Sequence, residues 1–266
     1  MRIQDKMTVR EQDILSIQGL SKQFGTFQAV DRINLSVKSG QIVGFLGPNG
    51  AGKTTTIKMV AGLLKPNSGS VRISGHDLAL EPARCKQKTG YIPDRPYLYE
   101  KLTGEEFLQF MASLYGVSEK RYYEQSNRLL GLFDLEEWRY HLIESFSHGM
   151  CQKLIITAAF LPDPSLIIVD EPMVGLDPKS ARIVKELFRE HARRGGGIFL
   201  STHSLEIAEE LCDYIAIILK GGIRAQGTLD ALRQEARLHD TGLEEIFLQL
   251  TGTPELSEII KSLRDD

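Results

Sequence analysis

A chain of 266 residues is long enough for one large domain or two small ones, and 42% hydrophobic with 25% charged residues is ordinary for a globular protein. The formal net charge of −3 at pH 7 supplies no overall basic field for polyanions, although it excludes neither nucleic acid nor a membrane as a partner. No apolar run approaches the roughly 18 residues of a spanning helix, and Met1-Arg2-Ile3-Gln4-Asp5-Lys6 is not followed by the apolar core of a secretory signal.

Residues 1–13 are polar and expected to be a flexible N-terminus. From 14 to 37 the pattern is short and β-like, with alternation in Ile33-Asn34-Leu35-Ser36-Val37. A turn at Lys38-Ser39-Gly40 leads into the apolar run 41–46. A helix is expected over 53–64, stopped by Lys65-Pro66-Asn67, then a strand at 71–73 and a turn at Ser74-Gly75-His76-Asp77. Between 102 and 160 the spacing turns helical, at 102–115, 124–133 and 149–160, and reads as a helical subdomain inserted between strands. The fully apolar 166–169 fits a strand covered on both faces. Helix 179–193, strand 198–200, helix 204–212 and strand 214–219 follow. This alternation predicts an α/β fold with a mainly parallel sheet, and the tail from 227 to 266 reads as helical.

Gly47-Pro48-Asn49-Gly50-Ala51-Gly52-Lys53-Thr54 fits G-x-x-x-x-G-K-[ST], with a strand before it and a helix after it as the motif requires. The glycines let backbone N–H groups turn inward on β- and γ-phosphate oxygens, and the helix starting near Gly52 aims its positive end at the same anion. Lys53 adds a point charge, Thr54 offers a hydroxyl to Mg²⁺, and Thr55 follows in the same turn. The motif therefore predicts ATP with Mg²⁺ as the ligand. The bland reading is a glycine turn that caps a helix.

Leu166-Ile167-Ile168-Val169-Asp170-Glu171 sets two acids at the carboxyl end of a buried strand, where ligands of such sheets bind. Asp170 is placed to hold Mg²⁺, and Glu171 to orient the water that attacks the γ-phosphorus. Since Pro172 follows, a helix-capping acid pair is the competing interpretation.

Four further segments give the chain its resemblance to the ATP-binding subunit of an ABC transporter, of bacterial export type. Ser145-Phe146-Ser147-His148-Gly149-Met150-Cys151-Gln152-Lys153 is similar to that family's signature sequence, Val174-Gly175-Leu176-Asp177 to its D-loop, and Ser201-Thr202-His203 to its switch histidine. Phe24 falls where the family places a ring on adenine, with the protein core as the alternative for that side chain. The resemblance implies a P-loop ATPase core over 14–226, with an N-terminal antiparallel β subdomain and a helical signature subdomain over about 95–160. It also implies two subunits that sandwich two ATP molecules head to tail. Ser147 and Gly149 of one would contact the γ-phosphate held by the other, Asp177 would couple the sites while also able to cap the next helix, and His203 would hold the attacking water with Glu171.

Two positions depart from the family pattern. His148 stands where glycine is usual, and Asp94, in Gly90-Tyr91-Ile92-Pro93-Asp94, stands where the Q-loop carries glutamine. Asp94 is either a carboxylate on the Mg²⁺ or a solvated turn acid. The expected partners are membrane-spanning permease subunits and a second ATPase subunit, identical or a close paralogue, with no nucleic acid; the expected location is the cytoplasmic face of the membrane. Arg95-Pro96-Tyr97-Leu98-Tyr99-Glu100 would receive a permease helix, or else cover the subdomain's own core. The rival function is a soluble ABC-type ATPase acting on ribosomes or DNA. A single cassette, a compact stretch from Lys53 to Ser147 and the absence of paired cysteines oppose it.

Overall fold

The computed structural model describes residues 13–171, 173–238 and 241–252. The expected flexible N-terminus, but for Asp13, and the stretch 253–266 of the expected helical tail lie outside the described residues. Strands β1 (Asp13–Phe24), β2 (Phe27–Lys38), β4 (Ser68–Ile73) and β5 (His76–Asp77) form an antiparallel sheet in the order β2-β1-β4-β5. The second sheet has six strands: β3 (Ile42–Leu46), β6 (Thr89–Ile92), β7 (Leu166–Asp170), β8 (Gly197–Thr202), β9 (Tyr214–Leu219) and β10 (Gly222–Gly227). Their order is β10-β9-β3-β8-β7-β6, parallel throughout except where β10 runs against β9. This is the mixed α/β, P-loop architecture expected from the sequence.

Side chains alternate across a strand, and both faces of the six-stranded sheet are covered, so its central strands are apolar until their carboxyl ends. Ile42, Ile167, Val169, Ile198 and Leu200 face one core; Val43, Phe45, Leu166, Ile168 and Phe199 face another. The first core is shared with α3 (Gly104–Leu114), α4 (Glu119–Leu132), α5 (His148–Phe160) and α6 (Pro178–Arg193). The second is shared with the antiparallel sheet and α1 (Lys53–Val60), and within it the Phe45 and Phe199 ring centroids lie 5.5 Å apart. A third cluster joins Leu46, Ile215, Ile217 and Ala225 to Ala208 of α7 (Leu205–Leu211), Leu232 of α8 (Leu229–Ala236) and Leu243, Ile246 and Leu250 of α9 (Leu243–Thr251). Helices α8 and α9 thus pack directly on the core strands.

Several elements differ from the sequence reading. Helix α1 ends at Val60 rather than 64, because Leu63 N donates to the Lys58 carbonyl (2.8 Å) and Gly62 N to the Met59 carbonyl (3.1 Å), a Schellman closure. The turn at 74–77 is tighter than expected. Ser74 and Gly75 both have positive φ, as a two-residue hairpin needs, and His76 and Asp77 already pair with Ile73 and Arg72. Helix α2 (Pro82–Gln87) and strands β6 and β10 were not anticipated.

Candidate functional site

Four adjacent parallel strands deliver the motif residues to one edge of the sheet. Strand β8 lies between β3 and β7, with Leu46 opposite Thr202 and Asp170 opposite Ser201, and β6 adjoins β7 with Ile92 opposite Val169. The glycine loop, His203, the Asp170-Glu171 pair and Asp94 each follow the carboxyl end of one of these strands. In a parallel sheet all such ends open on the same side, which is why motifs far apart in sequence meet.

The loop after β3 turns back into α1. Gly52 caps that helix at φ +110, and a Cβ there would stand 2.5 Å from the Ala29 carbonyl, so both conformation and space demand glycine. Ala51 N donates to Pro48 O at 3.2 Å, and Gly221 N to Ala51 O at 2.9 Å, bracing the loop against the β9–β10 turn. Lys53 is only 7% exposed, and its ammonium donates to the carbonyls of Gly47 (2.7 Å) and Pro48 (3.3 Å). Burial lowers its pKa, against an upward pull from the charges of Glu171 and Asp170. A buried cation held by loop carbonyls beside a helix N-terminus is a place for an anion.

Asp170 is fully buried. Its Oδ1 accepts a hydrogen bond from Ser201 Oγ, and Oδ2 has no partner. Burial raises its pKa, the Ser201 hydrogen bond and the neighbouring Thr54 hydroxyl lower it, and the charges of Asp94 and Glu171 raise it again. An orphaned carboxylate oxygen beside a threonine hydroxyl fits a hydrated divalent cation. Among the described residues no cluster of three or more His, Cys, Asp or Glu could enclose a metal, so such a cation would also need ligands from a phosphate chain and water. Glu171, at φ +52, is pinned by its N–H to Ser201 O (3.1 Å), and its Oε1 lies 2.9 Å from Nδ1 of His203.

Lys53, Thr54, Glu171 and His203 line one cleft of about 450 Å³, whereas the buried Asp170 is not among its lining residues. Pro48, Asn49, Gly50, Gly52, Lys53, Thr54 and Thr55 form its floor, and Asp94, Glu171 and His203 one wall. Gly47 and Ala51, also expected at the site, do not line the cleft. At the far end stand Phe24 and Phe27, paired across the two-residue turn between β1 and β2. The sequence reading gave Phe24 and missed Phe27 and the Ser201 contact. The hairpin signal was present in Phe24-Gly25-Thr26-Phe27, where a two-residue turn puts both rings on one face. Lys22 Nζ stands 5.2 Å from the Phe24 ring centroid.

Ser147, Gly149 and Asp177 do not line this cleft. Ser147 is exposed and caps α5 through Met150 N (3.3 Å). Asp177 caps α6, accepting from Ser180 N (2.9 Å) and Ser180 Oγ (2.7 Å), and pairs with Lys153 at 3.2 Å. The Ser180 bonds first, then Lys153, hold its carboxyl well below the usual range. The site therefore combines an aromatic end, a cationic anion cradle, a vacant carboxylate oxygen and a Glu–His pair, as a purine nucleoside triphosphate with a divalent cation would require.

A family model described as ABC transporter matches residues 30–174, and one described as an AAA domain matches 140–209. The chain is 37% identical over 238 residues to the ABC-type transporter ATP-binding protein EcsA of Bacillus subtilis (strain 168), covering 90% of this chain and 96% of that one. It is 38% identical over 229 residues to the daunorubicin/doxorubicin resistance ATP-binding protein DrrA of Streptomyces peucetius, covering 84% and 69%. A solved structure described as the ATP binding subunit of an ABC transporter superposes with a TM-score of 0.87 at 40% identity, over 90% of this chain and 99% of that one.

Proposed function

This chain belongs to the ABC transporter family and is an ATP-binding, ATP-hydrolysing subunit, and from that premise we propose that it powers an exporter whose pathway is built by separate permease subunits. Daunorubicin/doxorubicin resistance is the named role of one relative, DrrA, which supports the outward direction. No helix among the described residues is long and apolar enough to cross a membrane; in this reading the permease subunits build the pathway and the chain sits peripherally at the membrane's cytoplasmic face.

The observation that carries the coupled, two-subunit reading is the separation of the site into halves. The cleft gathers Lys53, Thr54, Asp94, Glu171 and His203, while Ser147 and Gly149, at the start of α5, lie outside it. A helix start with an exposed serine is suited to the γ-phosphate of a nucleotide in a second subunit's cleft. Two such subunits, head to tail, would each complete the other's site, with Asp177 near the junction. In each cleft the phosphates lie over the loop of Gly47 to Lys53, and Phe24 takes the adenine. Thr54, Asp170 and Asp94 would hold Mg²⁺, which supplies charge neutralisation on the phosphates. Glu171 orients the attacking water, and the imidazole of His203 fixes the Glu171 carboxylate and meets the γ-phosphate.

Tyr97 (81% exposed) and Tyr99 project from the loop after β6, whereas Leu98 packs on the core. Tyr99 meets Phe110 edge to face at 5.9 Å, extending an apolar rim suited to an amphipathic helix of the permease. Extracting the native complex from membranes tests the assignment: a multi-span protein should copurify, and Tyr97→Asp with Tyr99→Asp should release it. Retention by the double variant would move the permease contact elsewhere.

A further inference from the structure

The first turn of α5 and the loop 173–177 are fastened together within one chain. Gly175 has φ +78, and the Cδ2–Nε2 edge of the His148 ring abuts its open side: a Cβ at Gly175 would stand 2.4 Å from His148 Cδ2 and 2.8 Å from Nε2. The next residue of the helix, Gly149, is as close in the other direction, since a Cβ there would meet the Gly175 carbonyl at 2.9 Å. Further along α5, Lys153 reaches Asp177 at 3.2 Å with a side chain only 16% exposed. Ring on glycine, glycine on carbonyl and ion pair on cap make a three-point clasp.

The clasped loop follows closely after Glu171, whose carboxylate holds His203. A second groove, of about 430 Å³, runs from His148 and Val174 to Glu171, Asp94, Arg95 and Pro96. His148 thus stands between the wall of this chain's own cleft and the serine-bearing helix start that lies outside it. The interaction is one of shape, because the edge of the His148 ring fits against a backbone that carries no side chain, and it exists only because residue 148 is not glycine.

We infer that His148 is a positioning residue: through its packing on Gly175 it makes the placement of Ser147 and Gly149, offered to a second subunit, depend on the state of Glu171 in its own cleft. This rests on the two-subunit reading above. With nucleotide in one cleft, the Glu171 loop is fixed, the clasp carries that order to α5, and the partner's site is completed more readily. The readout of such a coupling is cooperativity between sites rather than affinity at either.

The full-length protein is tested as the parent, H148A and H148F, with G175A as the reciprocal change. Fluorescent-nucleotide binding at low protein concentration should stay within about twofold for H148A and H148F, as for a substitution that touches no ligand. The Hill coefficient of ATP hydrolysis should fall from above one in the parent to about one in H148A. It should be retained in H148F, which keeps a ring on Gly175, and lost in G175A. Parental cooperativity in H148A, or its loss in H148F, overturns the inference. A parent that shows neither cooperativity nor ATP-dependent dimers overturns the two-subunit reading itself, a result distinguishable because it does not involve residue 148.

Discussion

Nδ1 of His203 lies 2.9 Å from Oε1 of Glu171, joining the carboxyl ends of two neighbouring strands, β8 and β7. The histidine side chain is 64% exposed and the glutamate side chain 18%. The carboxylate is therefore held from the solvent side, and its remaining oxygen is left to orient water. Removing the imidazole takes away this constraint without touching Lys53 or the rings. His203→Ala should lower kcat by about 10²-fold or more, in the range of a positioned acid–base group, with affinity for ADP, which has no γ-phosphate, little changed. Steady-state turnover together with equilibrium nucleotide binding checks both halves, and parental kcat would take His203 out of the chemistry.

Phe27 stands opposite Phe24 at the open end of the cleft, and both rings are substantially exposed. With Lys22 close to the Phe24 ring, one broad surface of the pair is left for a base. Stacking is worth about 1–3 kcal/mol per base, so F24A and F27A should each weaken ATP by roughly fivefold or more. Tripolyphosphate, which has no base, should compete equally well against all three proteins. A parental ATP affinity in F27A would assign the base to Phe24 alone.

Asp94 adds a carboxylate to Asp170 and Glu171 around the phosphate end of the cleft. Cation affinity rises with ligand charge, so Asp94→Gln should raise the Mg²⁺ concentration for half-maximal turnover several-fold. It should also act on pH. Asp94 pushes the Asp170 pKa up, so removing it lets Asp170 ionise at lower pH and moves the acid limb of the activity profile downward. Mn²⁺ titration followed by electron paramagnetic resonance reads the first effect without catalysis. No change in either quantity would make Asp94 a bystander at the rim.

Asp177 stabilises the start of α6, and its hydrogen bonds and ion pair are made by the ionised form. Its folded pKa is depressed, so the contribution is fully present above the ordinary carboxylate pKa of about 4 and is lost as pH falls through the folded value. D177A should melt a few degrees below the parent at pH 7, and the gap should close in strong acid. A gap independent of pH down to acid unfolding would contradict this cap.

The parts of the site readable from sequence were those fixed by covalent neighbours. A loop of spaced glycines before Lys53, and two acids closing an apolar run, declare themselves because a strand end and a helix start are local events. That the sheet is mainly parallel followed from the alternation of strands with helices, whereas the strand order that brings these motifs together was not legible. What escaped depends on contacts between distant segments or on very short elements. Phe27 matters only once the hairpin sets it beside Phe24. Ser201 matters only because β8 pairs with β7. The four residues of β6, Thr-Gly-Tyr-Ile, are too few to show a period, and α2 has six residues of which only Cys85 is buried. The ring of His148 on Gly175 joins two motifs that look independent in the sequence.

The central claim, that ATP is clamped between two such subunits and its hydrolysis parts them, is tested most directly on E171Q, which should bind nucleotide without splitting it. Light scattering after gel filtration, with ATP and Mg²⁺ in the running buffer, should give twice the mass of one chain. Without nucleotide, with ADP, or in E171Q carrying Ser147→Arg, the mass should be that of a single chain. A single-chain mass for E171Q with both nucleotide and metal demonstrably bound would contradict the account.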